Sequence, residues 1–557
     1  MGLFRSQIES HHELLDQYHA KHAAGLKSGS ISPFVYPYEA FGIYLLLAYL
    51  FISHQRYPLV RRARYIVFLL IAYFESSTIL RCKTTTGGTG FGIGIVCGFG
   101  IVWAAAAILF TDPQKDFKRL DKRRHHGQPK DTLSSQSNAN GSASSATSDA
   151  HSNGGPVWRG PKKSDQVLQD SPDSDAGSPN FHPSSEDEDA VFFWQPFPEG
   201  LLSRLNWITD LMFSFRGIGW NWMPPGLVHL PRNVQMQLEG REKGSPSDEV
   251  EVRQGSMGHL TYYTRPILLR RKAIELSIYY LTLDFLKVVF MRDPYFWGLV
   301  DQPPPTFLPE ILRQSEYLTR TYRLLLSLAG VVIALNAIFA PCGLLFVGVF
   351  GETYAGVRAE PWLYPDLYGG FSMVLNKGLA GFWGGWWHQI FRFGFSAPTD
   401  WIVSRLNLDR RATSTRTLQL LIAFSLSGFI HACGSYTSIP PTNPFTGPFL
   451  FFFLQAFGIT AQVALSVGLK RAGITPQLPK TIRQAGNFIF VFTWLFFVAP
   501  LLTDDFARSG VWLFEPVPLS PLRALGFGVK GDKWWCWGDV KIWWHTGYRW
   551  WQSGLAL

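Results

Sequence analysis

Five apolar runs restrict this chain more than any other feature. They are residues 92–110 (GIGIVCGFGIVWAAAAILF), 324–350, 418–433, 447–469 and 487–502. A helix crossing the hydrocarbon core needs about 20 mostly apolar residues, because each residue rises about 1.5 Å. The two shorter runs reach that length when polar ends snorkel or neighbouring helices cover them. Weaker candidates lie at 38–53, 62–74 and 273–291. The pattern predicts an all-α, polytopic membrane protein with about eight spans. The first 32 residues are polar and rich in histidine, with no cleavable signal pattern.

Charge supports the same reading. The net charge of +10 comes from 51 Lys and Arg against 41 Asp and Glu. A basic protein invites a nucleic-acid partner, but here the cations sit beside the apolar runs. Arg56, Arg61, Arg62 and Arg64 follow the first candidate span, and Lys115 to Arg124 follow the third. The loop between the second and third holds only Arg81 and Lys83. The positive-inside rule then puts the N-terminus outside the cytosol and both basic loops within it. The charge describes topology, so no nucleic-acid partner is expected. Five cysteines (82, 97, 342, 433, 536) show neither disulfide nor zinc spacing.

The chain divides into four stretches: 1–112, a polar leader and three spans; 113–190, a disordered cytosolic linker; 191–268, an amphipathic region with a polar insert; and 269–557, a membrane-embedded core. Residues 128–189 are Ser, Asp, Asn, Gly and Pro with almost nothing to bury. The sequon Asn140–Gly141–Ser142 is expected to be unused on the cytosolic side. HHELLDQYHAKH (11–22) misses the HExxH pattern, since Asp16 stands at the second histidine position. It reads as a solvated amphipathic helix, and no metal site is expected. Gly90, Gly94 and Gly98 read as a close helix-packing face. LLSRLNWITDLMFSFRGIGWNW (201–222) either lies on the membrane surface or packs on the core. The tryptophans of 533–551 read as an interfacial belt.

Several residues stand out for chemistry. His431 lies inside an apolar run, where desolvation disfavours an imidazolium, so a neutral ring able to accept a proton is expected. Ser427 is one helical turn earlier on the same face, placed to orient that ring. In GFWGGWWHQIFR (381–392), a helical reading puts His388 and Arg392 on one face and Trp383, Trp387 and Phe391 on the neighbouring one. The competing readings are a satisfied core histidine for His431 and an interfacial anchor for His388. Asp284 and Lys287 are three apart inside a candidate span, which makes a neutralised pair or a transport site. No GxSxG elbow or triad order is present.

FWGGWWHQIFR (382–392) followed by SLSGFIHACGSY (425–436) resembles the membrane-bound O-acyltransferase family. The likeness is to its wax-synthase-like branch, and within that to fungal acyltransferases of secondary metabolism. It is strong over 365–435. Ser427, Gly428 and His431 keep the second block, and Phe382, Trp383, Gly384, Trp387, His388 and Gln389 keep much of the first. Gly385 and Trp386 replace a usual basic pair, and Gly381 replaces a common acid. RGIGWNW (216–222) looks like an early block of the same branch.

The resemblance implies helices around an intramembrane catalytic chamber. There an acyl group, acetyl first, passes from coenzyme A to the hydroxyl of a lipophilic alcohol such as a terpenoid. His431 is then the base, and His388 stabilises the oxyanion or holds the donor. Trp383, Trp387, Gln389, Arg392 and Ser427 are expected to bind substrate or coenzyme A. Acyl-CoA is a co-substrate, no permanently bound cofactor is expected, and the endoplasmic reticulum is the expected membrane. A wax synthase joining fatty acyl-CoA to a long-chain alcohol is the alternative. A transporter using Asp284 and Lys287, or a membrane scaffold, are the readings from other classes.

Overall fold

A computed structural model describes residues 10–84, 87–124, 190–240, 251–539 and 542–557. The disordered-segment reading of 128–189, its sequon at Asn140, and residues 241–250 of the polar insert fall outside the described residues. The fold is helical. Its main helices are α1 (His11–Ser28), α2 (Phe41–Phe51), α3 (Arg64–Arg81), α4 (Gly87–Ala104, continuing as a π turn to Phe110), α5 (Leu201–Phe213), α6 (Arg265–Phe290), α7 (Glu316–Gly343), α8 (Ser372–Gly381), α9 (Arg392–Arg405), α10 (Thr413–Tyr436), α11 (Leu450–Arg471) and α12 (Lys480–Val498).

Five helical stretches among the described residues are long and apolar enough to cross a membrane: Gly88–Phe110, Glu316–Ala359, Thr413–Tyr436, Phe445–Arg471 and Lys480–Val498. They contain four of the five runs legible in the sequence and the fifth, 487–502, as far as Val498. The weaker candidates differ. α2 is apolar but only 11 residues long. α3 and α6 are long but fall outside the apolar set, and α6 carries Arg270, Arg271 and Lys272 in its first half.

Close packing of α4 on α10 positions the middle of the molecule. A Cβ on Gly94 would collide with the Cys433 carbonyl, and one on Gly98 would stand 3.3 Å from the Ile430 Cα. Gly434 answers from α10, where a Cβ would meet the Phe91 carbonyl at 2.9 Å. This is the small-residue crossing expected from the glycine spacing. On its other side α10 is pressed against the start of α11, where a Cβ on Gly428 would meet the Phe449 carbonyl at 2.9 Å. α10 is thus gripped by backbone on two sides.

α5 resolves its two readings by using both faces. Trp207, Ile208 and Leu211 are buried against α2 and Trp220, while Leu201, Leu202, Leu205 and Phe213 stay exposed. α1 is less solvated than its composition suggests. His11 and His22 are buried, the His12 Nε2 lies 3.0 Å from Asp532 Oδ1, and the His22 Nε2 lies 3.2 Å from the Lys83 carbonyl. Histidines on one helix face dock the leader onto the body. The tryptophans Trp534, Trp535, Trp544 and Trp550 are exposed.

Strands β1 (Val35–Tyr36), β2 (Arg119–Arg124), β3 (Ala190–Gln195), β4 (Val252–Gln254), β5 (Leu260–Tyr262), β6 (Trp543–His545) and β7 (Gly554–Ala556) form small antiparallel sheets in the orders β1-β7-β6, β2-β3 and β4-β5. The β2–β3 ladder corrects the linker boundary of 113–190. Residues 113–124 are ordered, because Arg119 through Arg124 pair with Gln195 through Ala190. Leu120 and Phe192 from these strands are buried in a cluster with Trp362. Arg124 pairs with Ala190, so deleting 128–189 leaves His125–His126–Gly127 between paired ends, the length of a three-residue hairpin loop. The deletion protein should fold with an unchanged melting temperature in detergent. A large drop would show that the removed stretch contributes to the fold.

The second correction concerns Asp284 and Lys287, which do not pair. Asp284 accepts from the Ser520 hydroxyl and from the Leu522 N–H at 2.9 Å. Lys287 donates to the carbonyls of Trp512 and Leu513, each at 2.9 Å, and lies 3.6 Å from Glu515. Spacing puts both residues on one helix face, but the 512–522 segment takes each separately. They staple that segment to α6. Lys287→Met would strand two buried carbonyls, while Glu515 keeps Arg523, at a cost of about 1–3 kcal/mol for each carbonyl left unpaired. Thermal unfolding of the variant should show the loss; an unchanged melting temperature would contradict the staple.

Candidate active site

His431 projects from the stretch of α10 gripped by α4 and α11. Its Nδ1 lies 2.8 Å from the Ser427 carbonyl oxygen. A carbonyl can only accept, so Nδ1–H donates and the lone pair is left on Nε2. The expected role of Ser427 is thereby corrected in detail: its main chain holds the ring. The ring also packs against Phe452 of α11, with centroids 4.2 Å apart and the planes tilted by 34°.

His388 does not sit on the continuous helix that its spacing suggested. α8 runs into a π turn, Phe382–Trp386, and the chain then breaks at Trp387, whose ψ of 147° is extended. The break follows from local packing. The Trp387 N–H closes the π turn onto the Phe382 carbonyl at 2.7 Å. Gln389 then donates to the carbonyls of Trp383 and Trp387 and accepts from Arg392 at 2.8 Å. Gln389 is 4% exposed and its amide is spent inside this turn, so it shapes the site instead of presenting a contact. The glycine departures have a steric reason. A Cβ at Gly381 would collide with the Met373 carbonyl, and one at Gly385 would reach the Met373 side chain at 2.5 Å.

Rings connect the two histidines. His388 lies 5.2 Å from Trp387, Trp387 is 5.5 Å from Trp383, Trp383 is 5.8 Å from Phe452, and Phe452 carries His431. Both histidines are largely enclosed by protein and keep some accessible surface. Burial pushes the His388 imidazole down to about 3, with the charge of Arg216 adding to the effect. It is therefore neutral at pH 7. Its Nδ1 has no hydrogen-bond partner among the described residues.

The third component was not assigned a role from sequence. Arg216 is enclosed beside His388 and donates to the carbonyls of Asp366 at 2.9 Å and Pro365 at 3.2 Å. Burial pulls its guanidinium down to about 10, opposed by Asp366, so it stays charged. It makes no ion pair within 4.0 Å among the described residues. The Asp366 carboxylate is already taken by Lys272 at 2.8 Å and the Tyr262 hydroxyl at 2.9 Å. His259 donates from Nδ1 to the Asp366 carbonyl at 3.0 Å, and burial pushes it down to about 4. The RGIGWNW block was the only sequence signal for Arg216.

The other predicted residues fall around this centre. The Trp383 indole N–H donates to Gln455 Oε1 at 3.1 Å, as does that of Trp494 at 3.3 Å. Gln455 is fully buried in α11 and was not singled out from sequence. Arg392 is partly buried, which lowers its guanidinium from the usual range, and its partners are the Gln389 side chain and the Gly384 carbonyl. Two open clefts, of about 240 Å³ at Lys122–Glu352 and about 190 Å³ at His54–Asp112, are lined by none of these residues.

Residues 364–454, which hold both histidines, match the model of the membrane bound O-acyl transferase family. Among curated proteins, acetyltransferase ataH of Aspergillus terreus is 29% identical over 183 residues, 31% of this chain and 57% of the relative. Acetyltransferase eriL of Hericium erinaceus is 27% identical over 277 residues, 48% of this chain and 63% of the relative. O-Mevalon transferase yanI of Aspergillus niger is 25% identical over 311 residues, 53% of this chain and 60% of the relative. The matches thus span about three fifths of these relatives. No solved structure matches the chain.

Proposed function

We propose that this chain, an acyltransferase of the membrane-bound O-acyl transferase family, moves an acyl group from coenzyme A to the hydroxyl of a lipophilic alcohol within the membrane. An acetyl donor and a terpenoid-like acceptor are the finer reading, and the endoplasmic reticulum is its place. The names of the relatives, acetyltransferases and an O-mevalon transferase, support an acyl transfer. The observation that carries the reading is the pair of largely enclosed histidines joined by the rings of Trp387, Trp383 and Phe452, with the His431 Nδ1 held by the Ser427 carbonyl so that Nε2 carries the lone pair.

The chemistry follows from those atoms. His431 Nε2 takes the hydroxyl proton as the alcohol oxygen adds to the thioester carbon. The carbonyl oxygen becomes an oxyanion, which His388 stabilises as a neutral donor. Collapse forms the ester, breaks the carbon–sulfur bond, and returns the proton from His431 to the leaving thiolate. Trp383 and Trp387 keep water from the thioester, which suppresses hydrolysis. Arg392 attracts the phosphates of coenzyme A. The proposal is tested by incubating microsomes holding the protein with labelled acetyl-CoA or palmitoyl-CoA and identifying labelled lipids by mass spectrometry. Labelled esters that depend on the protein are expected. No protein-dependent ester from either donor would refute it.

A further inference from the structure

Tyr368 sits in the turn that carries Asp366, directly before Gly369 and Gly370. Its ring lies 5.6 Å from Trp386, 5.5 Å from Trp387 and 6.1 Å from His388, edge-on to the imidazole with the planes 82° apart. The hydroxyl is buried and has no hydrogen-bond partner among the described residues. The His388 Nδ1 is in the same condition. Leaving such a group unpaired costs about 1–3 kcal/mol, so folded proteins rarely do so without a reason.

The turn cannot easily relieve this cost by moving. Arg216 and His259 hold the Asp366 carbonyl, and Lys272 and Tyr262 hold its carboxylate. Gly369 donates to the Trp386 carbonyl at 2.9 Å, which ties the turn to the π turn before His388. A Cβ at Gly369 would collide with the carbonyls of Gly385 and Met257, so the two segments touch backbone to backbone. Two unpaired polar groups are therefore held rigidly on neighbouring rings at the site.

We propose that Tyr368 is a further catalytic residue, whose hydroxyl donates a hydrogen bond to the carbonyl oxygen of the acyl-CoA thioester, sharing that oxygen with His388. This rests on the acyl-transfer reading above. The phenol keeps its proton throughout, and burial raises its pKa, which favours that form. As the alcohol adds, negative charge builds on the accepting oxygen and the hydrogen bond strengthens.

Tyr368→Phe separates this role from a structural one. Removing an oxyanion donor should lower kcat by about 10²–10³-fold. The KM for acyl-CoA should hardly change. Removing a buried hydroxyl with no partner should leave the melting temperature equal or higher. Turnover is read with labelled acetyl-CoA and whichever alcohol the wild type esterifies fastest from a panel of terpenoid alcohols and hexadecanol; unfolding is read on the same preparations. Full kcat in the variant overturns the proposal. So does a raised KM at full kcat, or a fall in kcat accompanied by a lower melting temperature. If the wild type esterifies nothing, the acyl-transfer reading itself falls and takes this proposal with it. An active wild type with an equally active Phe variant sinks Tyr368 alone.

Discussion

His431→Ala should abolish measurable acyl transfer while the protein still folds. A positioned general base contributes about 10²–10⁴-fold, and a loss of that size puts turnover near the floor of a microsomal assay. Folding should survive, because the residue is only partly buried and its ring's hydrogen bond runs to the carbonyl of its own helix. That carbonyl is also the natural acceptor for the residue four positions later in the ladder. The packing that places α10 comes from Gly428 and Gly434, which the substitution does not touch. The checks are ester formation from labelled acetyl-CoA and the melting temperature in detergent. Wild-type turnover in a folded His431→Ala protein would remove the base from the mechanism.

The second large effect is expected at His388. His388→Ala removes a neutral donor joined to His431 through the rings of Trp387, Trp383 and Phe452, and loss of an oxyanion donor costs about 10²–10³-fold in kcat. The substitution should spare folding, since the ring's Nδ1 bonds to nothing among the described residues and Gln389 braces the turn independently. Binding and chemistry can be told apart here. An unchanged KM for acyl-CoA with a reduced kcat supports oxyanion stabilisation. A raised KM at full kcat would instead make His388 a residue that holds the donor. Full activity on both counts would exclude it from the site.

Particular residues show how far sequence could go. The five apolar runs all became long apolar helices, because a membrane span is specified by local composition and length. The glycine series before His431's helix partner was legible for a related reason: small residues at one-turn spacing make a face by geometry alone. Both histidines were legible too, one from its place in an apolar run and the other from its motif. Their surroundings were less so. The π turn that lifts His388 off a helix depends on Met373 and Gly385 meeting across a fold in the chain. Asp284 and Lys287 show the same limit, for their spacing predicted a pair while their partners came from 512–522.

Sequence alone determined that the chain is helical and membrane-embedded, and that its two candidate histidines lie on adjacent parts of the core, since each of these rests on residues close together along the chain. Only the tertiary structure brought Arg216, His259 and Lys272 onto Asp366 and set Tyr368 against His388. Those contacts join segments separated by up to 150 residues. No periodicity records such a meeting, because it is decided by how the helices pack and which buried polar groups find one another.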